Sequence, residues 1–306
     1  FEAHNAVAEV LATADIEAKF SPLGAIEREA ASTTVDAAVL LELLSERGFS
    51  ATSLNNYLRS PWDYFFRNVL RIPETQAVHM QFGTAMHAVL EYVTRHYTEY
   101  GKVPSDSDIR KKLEQALNRL PVNAEEYTRL FEKGLEALLT YVPHMAKGLP
   151  KKTKEEFKLR VHMPTGLTEL PELVLTGNLD RIDLGEDGYA LRVVDYKTGK
   201  PKSRNVIEGN TKDSDGGYKR QLVFYALLLS LYDDEKYTCR EGVLSFVESD
   251  GKGIKEETFV ITEDEIKALK AEIIVAAKDI ISGDFLTRVC EVEESDYVEL
   301  AKRWQE

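Results

Sequence analysis

Gly177-Asn-Leu-Asp180-Arg-Ile-Asp183-Leu-Gly185-Glu-Asp-Gly188-Tyr-Ala-Leu-Arg-Val-Val-Asp195-Tyr196-Lys197-Thr-Gly199 is the stretch from which the rest of the chain is read. Val174, Leu175, Leu179, Ile182 and Leu184 mark one strand region, and Tyr189 to Tyr196 marks a second. The Gly185-Glu-Asp-Gly188 turn between them predicts an antiparallel hairpin, which brings Asp180 near Asp195. Asp195 and Lys197 are two apart and share a strand face, while Tyr196 points to the core and leaves its backbone carbonyl available. Two acids and a lysine at the ends of apolar strands are poor core material. They make sense as a divalent-metal site beside a phosphodiester, with Lys197 as a fixed positive charge. Oxygen ligands favour Mg²⁺ or Mn²⁺ over zinc.

Composition bounds what surrounds this stretch. The 306 residues are 43% hydrophobic, ordinary for a globular chain of one large domain or two small ones. No apolar run approaches the ~18 residues of a membrane span, and no secretory signal opens the chain. Cys239 and Cys290 are too few for a disulfide framework, so a reducing, cytoplasmic setting is expected. The chain opens on Phe1, which suggests a piece of a longer polypeptide. The net charge of −13 argues against nucleic acid until it is divided. Residues 1–50 hold 9 acids and 3 bases, and residues 233–306 hold 20 and 10, which leaves 51–232 at net +3. The segment with the motif is the basic one.

Along the chain, residues 1–47 read as short, acidic, alanine-rich helical pieces. Ser53 is placed to cap a helix running through Tyr57, and Pro61 to open another whose apolar face is Trp62, Phe65, Phe66, Val69 and Leu70. Helical spacing returns at about 80–100, 106–119 and 124–147, followed by strands at about 155–163, 172–184 and 189–197. A polar loop with mobile character covers 199–217, a helix 218–231, a hairpin 242–261 turning at Asp250 to Gly253, and a closing amphipathic helix carries Ile266, Leu269, Ile273 and Ala277.

Further residues gather around the motif. Gly83 and His87 lie one helical turn apart, so Gly83 permits close packing and His87 reaches the acids as a third ligand or orienter. Glu91, a further turn on, is within reach of the site but reads first as a solvated helix carboxylate. Gln221 and Tyr225 form a second pair one turn apart; Gln221 is suited to orient a water or a carboxylate, and Tyr225 to bind a phosphate. Lys200, Lys202, Arg204, Lys219 and Arg220 are placed to grip phosphates, or else form a solvated charged surface. Tyr57 and Tyr64, among Arg59 and Arg67, read either as base-stacking or as core residues, and Trp62 as core. Arg181 and Asp183 read as a structural salt bridge.

Taken in order, Gly83-x-x-x-His87, Gly177-x-x-Asp180-Arg-Ile-Asp183, Asp195-Tyr-Lys197-Thr-Gly199 and Gln221-x-x-x-Tyr225 resemble the RecB-like branch of the PD-(D/E)XK nuclease superfamily. Ser53-Leu-x-x-Tyr57-Leu-x-Ser60-Pro61-Trp62 is similar to that family's opening motif, and the resemblance covers about 50–231. It implies an α/β fold: a mixed central β-sheet flanked by helices, with an N-terminal helical part. It divides the chain into an acidic flank, 1–49, and a nuclease domain, 50–306, with its core at about 80–282. It implies metal ligation by His87, Asp180, Asp195 and the Tyr196 carbonyl, with Lys197 as catalytic cation and Gln221 and Tyr225 completing the catalytic set. Many relatives hold an iron–sulfur cluster through a cysteine before the proline and three near the C-terminus. Ser60 occupies the first position and only Cys290 lies near the end, so no cluster is expected.

The implied activity is that of a Mg²⁺- or Mn²⁺-dependent DNA nuclease, exonuclease rather than endonuclease, favouring single-stranded ends. Its expected setting is the C-terminal part of an AddB- or RecB-like helicase–nuclease in repair or recombination, with DNA and a helicase module as partners. The alternative is a non-catalytic module that binds DNA or a partner, against which the complete set of acids and Lys197 argues. A site-specific endonuclease is a third reading, with no sequence-reading domain to support it.

Overall fold

The computed structural model describes residues 35–74, 77–232, 234–288 and 297–305; the helical pieces expected before residue 35, and Cys290, lie outside them. Its centre is a five-stranded sheet in the order β1 (Lys152–Pro164), β2 (Glu172–Leu184), β3 (Ala190–Lys197), β4 (Glu241–Phe246), β5 (Lys255–Val260). β3 and β4 are parallel and the other neighbouring pairs antiparallel, so the sheet is mixed. The parallel step needs a crossover, which the helix Gly217–Leu231 supplies between β3 and β4.

The helices cover both faces. On one side lie α1 (Ala37–Arg47), α2 (Ala51–Arg59) and α3 (Pro61–Tyr64), the last running into a π turn at Phe65–Val69. On the other are α4 (Val78–Tyr100), α5 (Asp106–Leu117) and α6 (Ala124–Ala146). After β3 come α7 (Arg204–Ile207) and α8 (Gly217–Leu231), and after β5 come α9 (Glu263–Ser282) and α10 (Val298–Gln305); all four pack on the first side. Neighbouring residues of β3 divide between the layers, Val193 to the first and Val194 to the second, as the two-residue period of a strand requires.

Several local readings change in the structure. Ser50, not Ser53, caps α2: its side chain accepts from the Ser53 amide while the Ser53 hydroxyl accepts from the Ser50 amide. Ser53 thereby closes a reciprocal box from inside the helix. Leu70 is exposed, because the π turn widens the helix just before it. The polar segment 199–217 contains α7, capped by Ser203 and anchored by a fully buried Ile207. α1, read as part of the flank, packs Leu40 and Leu44 into the same core as the sheet, and Phe49 bridges to Leu175 of β2. Among the described residues no helix is long and apolar enough to cross a membrane.

Two features of β2 shape the sheet around Asp180. A Cβ at Gly177 would lie 2.4 Å from Leu228 Cδ1, so the close approach of α8 to the sheet requires glycine there. Leu179 and Ile182 are three apart yet belong to one core layer, which strict alternation forbids. The slip has its counterpart in β1. Glu156 faces Asp180 in the register but is left out of the pairing, and its φ of 48° is left-handed. That backbone costs a glutamate roughly 1–2 kcal/mol. Beyond it Phe157, Leu159 and Val161 pack on the first layer, whereas Thr153 bonds Thr98 of α4 on the second at 2.9 Å.

Arg181 and Asp183 form a buried ion pair, Nε to Oδ1 at 2.6 Å, and Arg192 Nε donates to the other oxygen at 2.7 Å. Arg181 Nη1 also donates to the Tyr196 hydroxyl at 2.6 Å. Asp183→Ala is expected to destabilise the fold by about 3–5 kcal/mol, because a buried guanidinium loses its acid. Adding Arg181→Met should restore most of the loss. Urea unfolding of the single and double variants checks both, and equal midpoints for Asp183→Ala and the parent would contradict the assignment.

Candidate active site

The β2–β3 ladder runs from the turn to the pair Arg181–Val194 and stops. The next free amide on β3, that of Tyr196, donates to Asp180 Oδ2 at 2.8 Å. A side chain thus replaces the ladder, and the strands fork around it. In an extended strand the N–H and C=O of one residue point to the same edge, so the Tyr196 carbonyl opens into the fork beside Asp180. Its ring goes the other way, into the second core layer, with the hydroxyl on Arg181.

The fork opens into a cleft of about 1060 Å³. His87, Glu91, Glu156, Asn178, Asp180, Asp195, Tyr196, Lys197, Lys200, Lys202, Tyr218, Gln221 and Tyr225 all line it. α4 contributes His87, whose Nδ1 is 3.3 Å from Asp180 Oδ1. Burial alone would lower the His87 pKa, but Asp180, with Asp195 and Glu156 beyond, holds it above the ordinary imidazole value. Gly83, one turn earlier, lets α4 approach the end of β3: a Cβ there would stand 3.1 Å from Thr198 Oγ1.

On the opposite wall, Lys197 Nζ lies 2.7 Å from Asp195 Oδ2 but directs its hydrogen bond to Gln221 Oε1, also at 2.7 Å. Gln221 Nε2 donates to the Tyr225 hydroxyl at 2.6 Å, and that hydroxyl shares its one hydrogen between Asp195 Oδ1 at 3.2 Å and Asn178 O at 3.3 Å. The chain of contacts closes on itself. It joins the Tyr225 hydroxyl to Asp195 and the Gln221 carbonyl oxygen to Lys197. Lys197 also sits 4.9 Å over the Tyr218 ring. Burial pushes the Asp195 carboxyl above the usual carboxylate range, with Lys197 opposing and Asp180 adding to the push.

Whether these groups suit a cation is decided by their unspent acceptors. Asp195 is 2% exposed, and its Oδ2 has the Lys197 ammonium at 2.7 Å as its one close partner among the described residues. The close contact with Lys197 is ionic and leaves lone pairs over. One ligand atom each from His87, Glu156 and Asp180 lies within 4.8 Å of the others. One imidazole nitrogen with carboxylate oxygens suits a divalent ion. Glu156 is the residue that sequence reasoning missed. Its carboxylate enters the cleft through the left-handed backbone, held by a hydrogen bond from Asn178 Nδ2, and a strand pattern carries no sign of that.

Other expected residues stand elsewhere. Arg59 pairs with Asp63, Arg204 with Glu208 and Glu257, Lys219 with Glu265, and Arg220 with Asn55 and the Asp215 carbonyl. None of these four lines the cleft, whereas Lys200 and Lys202 do. Tyr57, Trp62 and Tyr64 are core residues, so they do not stack on bases. The Tyr57 hydroxyl is bonded to Asp279, and Trp62 Nε1 donates to the Arg288 carbonyl at 3.1 Å. Glu91 pairs with Arg95 at 2.7 Å.

The chain is 27% identical over 201 residues to a subunit of the ATP-dependent helicase/deoxyribonuclease of Streptococcus suis (strain 05ZYH33), an alignment of 61% of this chain and 17% of that protein. With the subunit of the same name from Clostridium tetani (strain Massachusetts / E88) it shares 27% over 280 residues, 78% of this chain and 24% of that one. The chain therefore spans about a quarter or less of these relatives. A crystal structure from Eubacterium rectale, provisionally described as an exonuclease, superposes with a TM-score of 0.52 at 9% identity, covering 90% of this chain and 92% of that one, and shares the fold. The family model for the PD-(D/E)XK nuclease superfamily, whose members use divalent metals, matches residues 48–291. On that match over most of its length, this chain belongs to the PD-(D/E)XK nuclease superfamily.

Proposed function

We propose that this chain is a Mg²⁺- or Mn²⁺-dependent deoxyribonuclease unit that hydrolyses DNA from single-stranded ends, as the nuclease part of a helicase–nuclease. The observation that carries the reading is the convergence of Asp180, Asp195 and Lys197 on one cleft at the end of the β2–β3 ladder. The helicase/deoxyribonuclease names of the relatives support the setting.

In this reading His87, Asp180, Asp195 and the Tyr196 carbonyl hold the divalent ion, and Glu156 joins them. When bound, such an ion supplies positive charge to the phosphoryl oxygens and lowers the pKa of a neighbouring water. The chain's own groups do the remaining work. Lys197 keeps a cation at the cleft wall, where it opposes the negative charge that gathers on the phosphate during displacement. Gln221 and Tyr225 act as positioning residues: they fix Lys197 and Asp195 so that neither has to reorganise as the reaction proceeds. Asp180 ties the end of β3 to the fork through the Tyr196 amide. Lys200 and Lys202, on the same cleft, attract the strand.

Asp195→Asn and Lys197→Ala are each expected to cut metal-dependent cleavage of a labelled single strand by about 100-fold or more; Asp195→Asn keeps a melting temperature near that of the parent, whereas Lys197→Ala, which strips a buried carboxylate of its counter-ion, lowers it while circular dichroism shows a folded chain. Undiminished, chelator-sensitive cleavage by either purified variant would falsify the catalytic assignment. Strand binding without any cleavage by the parent, at every divalent ion supplied, would favour the non-catalytic module.

Glu156→Gln keeps the shape of the side chain and removes its charge. It is expected to weaken Mn²⁺ binding about tenfold, as loss of a metal-site partner generally does, whereas Glu91→Gln leaves affinity unchanged. Paramagnetic titration of the two variants separates them. If both bind Mn²⁺ as the parent does, Glu156 is no part of the site.

A further inference from the structure

A second, smaller cavity adjoins the cleft. Ser50 and Thr176 line both spaces, so the two share a wall. It measures about 190 Å³ and lies between α1, the start of α2 and the π turn after α3. Pockets for drug-sized molecules run from roughly 300 to 1,000 Å³, so this one suits a single small group. Arg47, Arg67 and Arg71 all line it, and among the described residues no carboxylate does. In a chain of net charge −13, a cavity whose charged lining is guanidinium is a specific arrangement and not a sample of the average surface.

The cations are presented in different ways. Arg47 donates through Nη1 to the backbone carbonyls of Asn68 and Val69, at 2.7 and 2.6 Å. Those contacts fix the guanidinium without neutralising it. Arg67 sits 3.3 Å from Glu74, which is outside the cavity lining. Arg71 is exposed and holds a left-handed φ of 53° at the cavity's edge. Arginine forks match the oxygens of a phosphate in pairs, which suits a tetrahedral dianion or the two free oxygens of a diester.

The cavity's position relates it to the cleft. The Phe49 amide donates to Val174 O at 2.7 Å and the Thr176 amide donates to Phe49 O at 2.9 Å, so the α1–α2 connection is stitched to β2. Thr176, on the shared wall, precedes Asp180 by four residues on that strand. Four residues of strand span about 13 Å, and stacked nucleotides advance about 3.4 Å each along one strand.

We propose that this arginine-lined cavity binds a phosphate of the strand being cut, a few nucleotides from the scissile bond. The proposal rests on the nuclease reading for the identity of the ligand and deepens it: the cavity measures the strand, and the products are short oligonucleotides. The phosphate is either a terminal monoester or an internal diester, and the two are separable by substrate.

The test uses the whole chain carrying Arg47→Gln or Arg71→Gln. Arg71 makes the decisive variant, because Arg47 also holds backbone carbonyls and its loss can disturb the fold. Binding is read without divalent metal, by fluorescence anisotropy of a labelled single strand across a salt series. Each variant is expected to weaken binding about tenfold and to flatten the log–log salt slope by about 0.7, the release expected for one lost phosphate contact on a single strand. Cleavage is read with metal as KM and kcat separately, and KM is expected to rise with kcat nearly unchanged. A loss confined to linear strands with a phosphorylated end identifies the monoester; an equal loss on circular single strands identifies the diester. Unchanged affinity, salt slope and product length in Arg71→Gln overturn the proposal while leaving the nuclease reading intact. If the parent cuts nothing but Arg71→Gln still loses affinity and slope, the phosphate site stands and the nuclease reading falls.

Discussion

Beyond the Arg181–Val194 pair, β2 and β3 share no further ladder bonds, and the Tyr196 amide has to find another acceptor. A buried amide without one is costly. Asp180 meets the demand with a carboxylate, which lets the two strands part while the sheet stays closed behind them. The rest of the site depends on that parting. Asp195 and Lys197 lie on the continuing β3, still paired to β4 through Val243 to Phe246, so they are held as rigidly as any strand residue. Space opens only on the β2 side, where His87 of α4 and Glu156 of β1 enter.

The opening is sustained from both strands. The slip in β2 between Leu179 and Ile182, and the left-handed Glu156 opposite, change which face each strand presents at the same level of the sheet. Backbone strain of this kind persists only where surrounding packing over-determines it. Here the packing is plain: Phe157, Leu159 and Val161 on one side of Glu156, and Thr153 against α4 on the other. Gly177 then admits Leu228, so α8 comes down onto the sheet at the point where Gln221 and Tyr225 meet Lys197 and Asp195.

How much of this was legible in the sequence depends on which signals are local. The hairpin of β2 and β3, the helices over 80–147 and the β4–β5 hairpin are carried by periodicity and turn residues, and the structure places them close to the expected bounds. The mutual approach of His87, Asp180, Asp195, Lys197, Gln221 and Tyr225 comes from spacing along elements of known period, together with a family pattern. Glu156 was not legible, because its position depends on one φ angle that no residue type announces. The surroundings of the basic residues outside the cleft are not legible for a different reason. Arg59, Arg204, Lys219 and Arg220 each find an acid or amide on another turn or element, and such pairing is set by tertiary contacts. Tyr57 and Tyr64 were ambiguous because an aromatic residue beside an arginine reads the same in a core and on a surface.

Asp180 and Asp183 stand three residues apart on one strand, and their contrast shows what separates a structural acid from one that is poised for chemistry. A carboxylate offers about four acceptor sites. Asp183 receives two donors from Arg181 and one from Arg192 at 2.6–3.2 Å, which uses most of that capacity, and at 1% exposure it has no route to solvent. Asp180 receives one amide and faces an imidazole, with its remaining capacity turned to the cleft. Asp195 is buried almost as deeply as Asp183, yet each of its oxygens has a single close partner, Tyr225 or Lys197, and its pKa is pushed upward by burial. Burying a charge is expensive unless it is paired and hydrogen-bonded, and Asp195 has fewer donors to offset that cost than Asp183. A cation would remove that cost and stabilise the folded state in proportion to its occupancy. The acceptors that Asp180 and Asp195 turn to the cleft are the ones the proposed cation would use, and the Arg181–Asp183–Arg192 network on the far side of the hairpin holds the strand that carries Asp180.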